Sequence, residues 1–292
     1  MKNKPVKIPN INYKFPILNY LRERKYSFGV AEFELMAGSF AIFHELGIEK
    51  TFNVWAPALF PYYLQFYGIN LIERIKEGEV IPEYKSAEPG DWDEVKGILN
   101  KDSERYKENI KNHKKEIVYQ KKVFDEWNKK YARFYFKKID KNKKNKIKKP
   151  LPLEELFSNI NHHFINQNPF GLFEHFPRIP DKIMYIGGII VEDTGIMTEN
   201  KVEREENESM YAGVPLICIP KFADQWYNAS LIEHKKIGIY VKNNRHDNRY
   251  DDPNSEAQTK NDNEFKEKLE GALDKILSEF KNKEFKLKEE ST

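Results

Sequence analysis

The stretch from Glu208 to Val241, ESMYAGVPLICIPKFADQWYNASLIEHKKIGIYV, constrains this chain more than any other. Gly213 stands where a helix stop favours a residue without Cβ, and Val214-Pro215 follows as expected just past such a stop. Leu216 to Ile219 is an apolar run without alternation, the mark of a parallel strand buried on both faces. Pro220 ends it. Asp224 has the chemistry of a helix cap, and Trp226, Ala229 and Ile232 continue at helical spacing to a stop near Gly238. Ile239-Tyr240-Val241 reads as the next strand. The result is a helix–strand–helix–strand unit with polar residues gathered at the carboxyl end of a strand, where open α/β sheets bind ligands.

The same alternation recurs earlier in the chain. A short helix over Leu18–Arg24 leads to a strand over Tyr26–Glu32. Ser39–Leu46 carries Phe40, Phe43 and Leu46 at helical spacing, with Gly47 as its stop, and Thr51–Trp55 resumes as a strand. This βαβ pattern argues for a second parallel sheet. Residues 57–100 form an aromatic-rich, irregular packed region. From Asp102 to Asn128 a charged helix is expected, with Tyr106, Ile110, Ile117 and Val118 as its apolar points. Pro150 to Pro152 marks a boundary, followed by a short helix through Leu156 and strands over Asn161–Ile165 and Lys182–Ile190. Asn243–Asn263 is polar and expected to be mobile, and Phe265–Phe280 forms an amphipathic helix.

Composition excludes more than it assigns. A length of 292 residues accommodates two domains. A formal net charge of +3 imposes no anionic partner. Lys137–Lys149 holds eight lysines in thirteen residues, but with no interleaved aromatics it reads as a solvated run, not a nucleic-acid surface. His162 and His163 are adjacent on a strand and point to opposite faces, so no metal site is expected. Cys218 is the single cysteine, which rules out an intramolecular disulfide. No apolar segment follows Met1-Lys-Asn-Lys-Pro5, and no run of about 18 apolar residues occurs. The expectation is a chain without signal peptide or membrane span, cytoplasmic if made as written. Asn207-Glu-Ser209 and Asn228-Ala-Ser230 fit the glycosylation acceptor pattern and are therefore expected to stay bare.

The words GVPLICIPKFADQWYNA are similar to the signature of the UDP-glycosyltransferases, the glucuronosyl- and glucosyltransferases of the GT-B fold. FGVAEFELMAGSFAIFHELGI resembles the acceptor-domain region of nematode-like members, and Lys182–Ile190 resembles the strand that closes that domain. The resemblance implies an α/β fold of two Rossmann-like lobes of GT-B type, both incomplete. Residues 1–190 would form the acceptor-side lobe, with a lysine-rich helical insertion at 101–149, and residues 205–292 the donor-side lobe. By the same resemblance Glu208 grips the ribose of the donor, while Asp224 and Gln225 hold the sugar hydroxyls. Glu32 or Glu34 takes the place of the acid that orients a catalytic histidine.

The implied reaction moves a hexose or glucuronic acid, with inversion, from UDP-glucose or UDP-glucuronate to a small lipophilic acceptor. The UDP-sugar is a co-substrate, and no separate cofactor or nucleic acid is implied. The family resides at the endoplasmic reticulum membrane. Two departures stand out: no histidine precedes the first matching strand, and Asn200–Asn207 has neither histidine nor glycine where a His-Gly-Gly phosphate loop is expected. A catalytically inactive relic or fragment is the alternative they define.

Overall fold

The computed structural model describes residues 5–7, 14–136, 151–168, 171–177, 180–187, 215–221, 224–243 and 256–282. Within these, β1 (Pro5–Lys7) and β2 (Lys14–Pro16) pair antiparallel, and α1 spans Ile17–Arg22. A four-stranded parallel sheet follows: β3 (Gly29–Ala31), β4 (Thr51–Trp55), β5 (His162–Ile165) and β6 (Ile183–Tyr185), side by side in chain order. Helix α2 (Phe33–Glu45) connects the first two strands. Between β4 and β5 lie a 3-10 segment (Pro61–Tyr67), α3 (Leu71–Glu77), the long α4 (Glu104–Phe136) and α5 (Leu153–Ser158). Farther on, β7 (Leu216–Cys218), α6 (Gln225–His234) and β8 (Gly238–Tyr240) form a second parallel pair, followed by α7 (Glu256–Asn282). The fold is α/β with parallel sheets.

The sheet places its residues in cross-strand rows. Ala31, Asn53, His163 and Ile183 stand on the inner face, and Trp55, Ile165 and Tyr185 form the next inner row. Trp55 meets Tyr63 edge-on at 4.3 Å between centroids, and Phe157 packs against Phe33 at 5.0 Å. The opposite face carries Val30, Phe52 and His162 in one row and Val54, Phe164 and Met184 in the next. That outer face is open: Val30, Val54 and Met184 are 48%, 42% and 44% exposed. Parallel sheets are ordinarily covered on both faces, and here the described helices cover one.

The inner row contains two polar residues, and they hold the unit together. Asn53 is fully buried. Its Oδ1 accepts the Phe33 N–H at 2.8 Å, pairing a donor at the start of α2 that has no partner within the helix. Its Nδ2 donates to His163 Nδ1 at 3.1 Å, which leaves the ring proton on Nε2. His163 packs against Phe157 and Tyr67, with centroids 4.7 and 5.5 Å away. Burial drives its pKa down to about 3, and the charges of Lys182 and His162 add to that.

Several expectations are corrected in detail. Helix α2 starts at Phe33, not Ser39, because Asn53 anchors its first turn; Met36, at φ −129° and ψ 31°, breaks the helix into two stretches. The strand before it is confined to Gly29–Ala31, the residues that pair with Thr51–Asn53. Residues 57–100 are less irregular than expected, since they include the 3-10 segment and α3. On α4, Val118 is 68% exposed, whereas Asn109 and His113 are buried on the inward stripe with Tyr106 and Phe124. Asn109 earns that position by pairing two backbone groups, the Glu83 N–H and the Ile81 carbonyl, each at 2.8 Å. The stretch expected to be mobile, Asn243–Asn263, is helical from Glu256, where Lys260 pairs with Glu264 one turn on at 4.0 Å. Leu216 and Ile217 are half-buried, so β7 is not covered on both faces; it pairs with β8 and with no other strand among the described residues. The lysine-rich run and Gly213 lie outside the described residues.

The Asn53 network predicts a distinct stability profile. Asn53→Ala leaves the Phe33 N–H and His163 Nδ1 buried without partners and should destabilise by about 2–4 kcal/mol in urea titrations. His163 stays neutral in the folded state down to about pH 3, while an unfolded histidine titrates near 6.5. Between those values the unfolded chain binds the extra proton, so stability falls as pH drops. His163→Asn should flatten that fall between pH 6 and 4.5 by up to about 1.4 kcal/mol per pH unit.

Candidate functional site

Two clusters hold the residues singled out by sequence. The first is the amino-terminal end of α6. Asp224 occupies the cap position, but its side chain makes no capping bond. Instead Oδ2 accepts the Ala58 N–H at 3.1 Å, just beyond the carboxyl end of β4. Asn228 Nδ2 approaches the same oxygen at 3.5 Å. Oδ1 accepts no hydrogen bond from the described residues. Gln225, next to it, accepts the Lys221 N–H through Oε1 at 2.8 Å. The pair therefore stands at the carboxyl edge of the four-stranded sheet, with one carboxylate oxygen fixed by backbone and the other available to a hydroxyl. Glu208 and Asn207 lie outside the described residues.

Helix α6 is held there by a loop that α4 in turn positions. Arg105 binds both oxygens of the buried Asp91, at 2.6 and 3.1 Å, and reaches the Ser86 carbonyl at 2.5 Å. That fixes residues 86–92. From this loop Trp92 Nε1 donates to the Ser230 carbonyl and hydroxyl, both at 3.0 Å, and the Gly90 N–H donates to Glu233 at 3.0 Å. Tyr240 donates its hydroxyl proton to the Ala87 carbonyl at 2.9 Å, and Lys242 pairs with Glu88. His234 Nε2 accepts the Glu174 N–H at 3.1 Å, and burial lowers its pKa to about 4. Tyr227 and Leu231 join the main core, against Phe173, while Ala229 and Ile232 pack with Cys218 and Tyr240.

Glycine plays a different part here from the one read in the sequence. Gly238 does not stop α6, which ends at His234; Lys236 takes the left-handed turn, with φ at 56°. Gly238 lies inside β8, where a Cβ would stand 2.4 Å from the Leu216 carbonyl oxygen.

The second cluster opens at the start of α2. Glu32 is the residue before the helix, and its carbonyl receives the Met36 N–H at 2.9 Å. Glu34, one residue into the first turn, borders a cavity of about 350 Å³ between α2 and α4. Tyr63, Phe124 and Tyr131 supply aromatic walls, and Lys85 stands at the rim. Glu34 has no ion-pair or hydrogen-bond partner among the described residues. Its carboxyl is raised above the usual range, first by loss of water, then by the neighbouring Glu32, with Lys85 opposing. Burial pushes the Tyr63 phenol well up and the Tyr84 phenol to about 12, so neither serves as a base near neutrality. No histidine lines this cavity, and neither Asp224 nor Gln225 does. The structure thus keeps the two acidic sets apart, Glu34 on the cavity and Asp224 beyond the end of β4.

Sequence reasoning missed the contribution of α4 to this cavity. The signal was present in the spacing of Tyr106, Ile110, His113, Ile117, Phe124 and Tyr131 along one face, but polar residues interrupt it. Histidines 162 and 163 do point to opposite faces, as expected from a strand. Among the described residues no group of histidine, cysteine and acidic side chains is arranged to hold a metal, and no helix is long and apolar enough to cross a membrane.

Residues 206–269 match a family model described as UDP-glucoronosyl and UDP-glucosyl transferase. The match covers α6 with Asp224, Gln225 and Asn228, and ends inside α7. This segment is therefore similar to UDP-sugar glycosyltransferases. No curated protein and no solved structure matches the chain.

The local geometry around β8 yields a paired prediction. Gly238→Ala should destabilise by about 1–3 kcal/mol through collision with backbone. Lys236→Gly should stabilise by roughly 1 kcal/mol by relieving a left-handed residue. Thermal melts of the two variants should therefore shift in opposite directions.

Proposed function

We propose that the chain is a UDP-sugar glycosyltransferase of two-lobed GT-B type, acting through the cluster at the start of α6. The observation that carries this reading is the orientation of Asp224 within the matched segment. Backbone fixes one of its oxygens, and the other accepts nothing from the described residues. A carboxylate so divided is pre-set to receive a sugar hydroxyl without paying the full ordering cost at binding. Gln225 joins it on the hexose or glucuronic acid, and Glu208 takes the ribose hydroxyls. A small lipophilic acceptor completes the reaction, which proceeds with inversion, and Glu32 or Glu34 is the acid that would orient a base.

A catalytically silent form of the same protein is the second reading. It is favoured by the absence of any histidine among the residues lining the cavity beside Glu34, and by the acidic sequence at 200–207, which repels phosphate. Three hydroxyl contacts contribute about 0.5–1.5 kcal/mol each. Set against an ordering cost of at least about 4 kcal/mol, hydroxyl contacts alone keep donor affinity weak.

Calorimetry with UDP-glucose and UDP-glucuronate tests both readings. The expected result is binding in the millimolar range, weakened about fivefold by Gln225→Ala, a loss of roughly one hydroxyl contact. No detectable binding of either nucleotide sugar at 10 mM would overturn the donor assignment, an upper limit set at about tenfold the expected constant. Mass spectrometry of a phenolic acceptor incubated with either donor separates the readings. Glycoside formed, and abolished by Glu32→Gln or Glu34→Gln, establishes the enzyme; binding without product establishes the silent form.

A further inference from the structure

The cavity between α2 and α4 has a chemistry that the donor cluster does not account for. Its walls are aromatic, from Phe33, Tyr63, Phe124 and Tyr131, and its volume of about 350 Å³ has room for a body of one or two rings. Its charge is unbalanced. Lys85 is the cation at the rim, but both oxygens of Glu116 hold its ammonium at 3.2 Å. That ammonium also lies 4.9 Å from the centre of the Tyr84 ring and 5.6 Å from that of Tyr119. Lys85 and Glu116 therefore answer each other. Glu34 is left with no partner among the described residues, and Glu32 adds to the negative field around it.

We propose that this cavity binds a small organic cation, a protonated amine on a one- or two-ring apolar body, with Glu34 as its counter-charge. The ammonium sits at the mouth, beside a Glu34 side chain that is partly dehydrated but still reaches the surface. The ring body enters the aromatic interior. Lys85 against Tyr84 and Tyr119 shows that ring faces at this rim already lie at cation-binding distance. An anionic ligand of the same shape meets Glu34 and Glu32 instead, and a neutral one gains the rings alone. The proposal shares Glu34 with the glycosyltransferase reading, which offers Glu32 or Glu34 as the orienting acid, but it uses no residue of the α6 cluster or of the matched segment.

Three probes of one shape test it: 2-phenylethylamine, 2-phenylethanol and phenylacetate, titrated into the full chain and followed by saturation-transfer NMR. The amine is expected to bind roughly fivefold tighter than the alcohol, the effect of one partly exposed charge pair with Glu34. Phenylacetate is expected to bind weakest. Glu34→Gln should bring the amine down to the level of the alcohol and leave the alcohol within about twofold, since the apolar contacts persist. Glu116→Gln releases Lys85 and should weaken the amine while improving phenylacetate. Glu34 is on the surface of a helix start, so its variant keeps the fold, and a matching melting temperature checks this. Equal binding of the three probes, no binding of the amine, or a preference for the amine that survives Glu34→Gln would each overturn the proposal. UDP-glucose binding is read at Asp224 and Gln225, so the two hypotheses fail separately.

Discussion

The carboxamide of Asn53 is the contact on which the described architecture depends. It joins three elements that are far apart in sequence: its own strand, the first turn of α2 and the ring of His163 on β5. Each bond is ordinary in strength, but all join buried groups, where an unpaired amide or ring nitrogen costs about 1–3 kcal/mol. The network therefore specifies more than it stabilises. It selects one tautomer of His163, one register of β4 beside β5, and one starting point for α2. Since Glu34 sits in that first turn, its position beside the aromatic cavity follows from Asn53.

A similar relay controls the other cluster. The buried Asp91–Arg105 pair ties the loop at 86–92 to α4, and the loop supplies Trp92, Gly90 and Glu88 to hold the β7–α6–β8 unit. A buried ion pair is weak evidence of net stability, because desolvation offsets much of the attraction. Its effect here is geometric. Without it, the polar contacts that orient α6 would rest on an irregular segment with few backbone bonds of its own. Asp224 reaches Ala58 only because this chain of contacts brings α6 against the end of β4.

The aromatic content of the chain serves both relays. Trp55, Tyr63, Phe66, Phe124 and Phe157 form a continuous set of edge-on and stacked rings beneath the sheet. Such rings bury large areas and also make flat cavity walls where the packing between helices is incomplete. The space between α2 and α4 arises in that way, at the kink around Met36.

By itself the sequence determined the class of the fold, the strands at 51–55 and 162–165, the long charged helix, and Asp224 and Gln225 as a polar pair after a strand. These are local properties: alternation or helical spacing decides which side chains share a face, and glycine and proline mark where elements end. Tertiary structure decided which faces meet. An inward asparagine breaks an apolar alternation and carries no sign of the partners that justify its burial, so Asn53 was invisible as a keystone. Likewise Val118, expected among the apolar points of α4, is exposed because α4 turns inward the face on which His113 and Asn109 pair backbone groups. Gly238 was legible as a glycine that mattered, but its reason, the closeness of Leu216, exists only once β7 and β8 lie side by side. The cavity beside Glu34 was not legible at all, because it belongs to no segment: it is the space that α2 and α4, some seventy residues apart, leave between them.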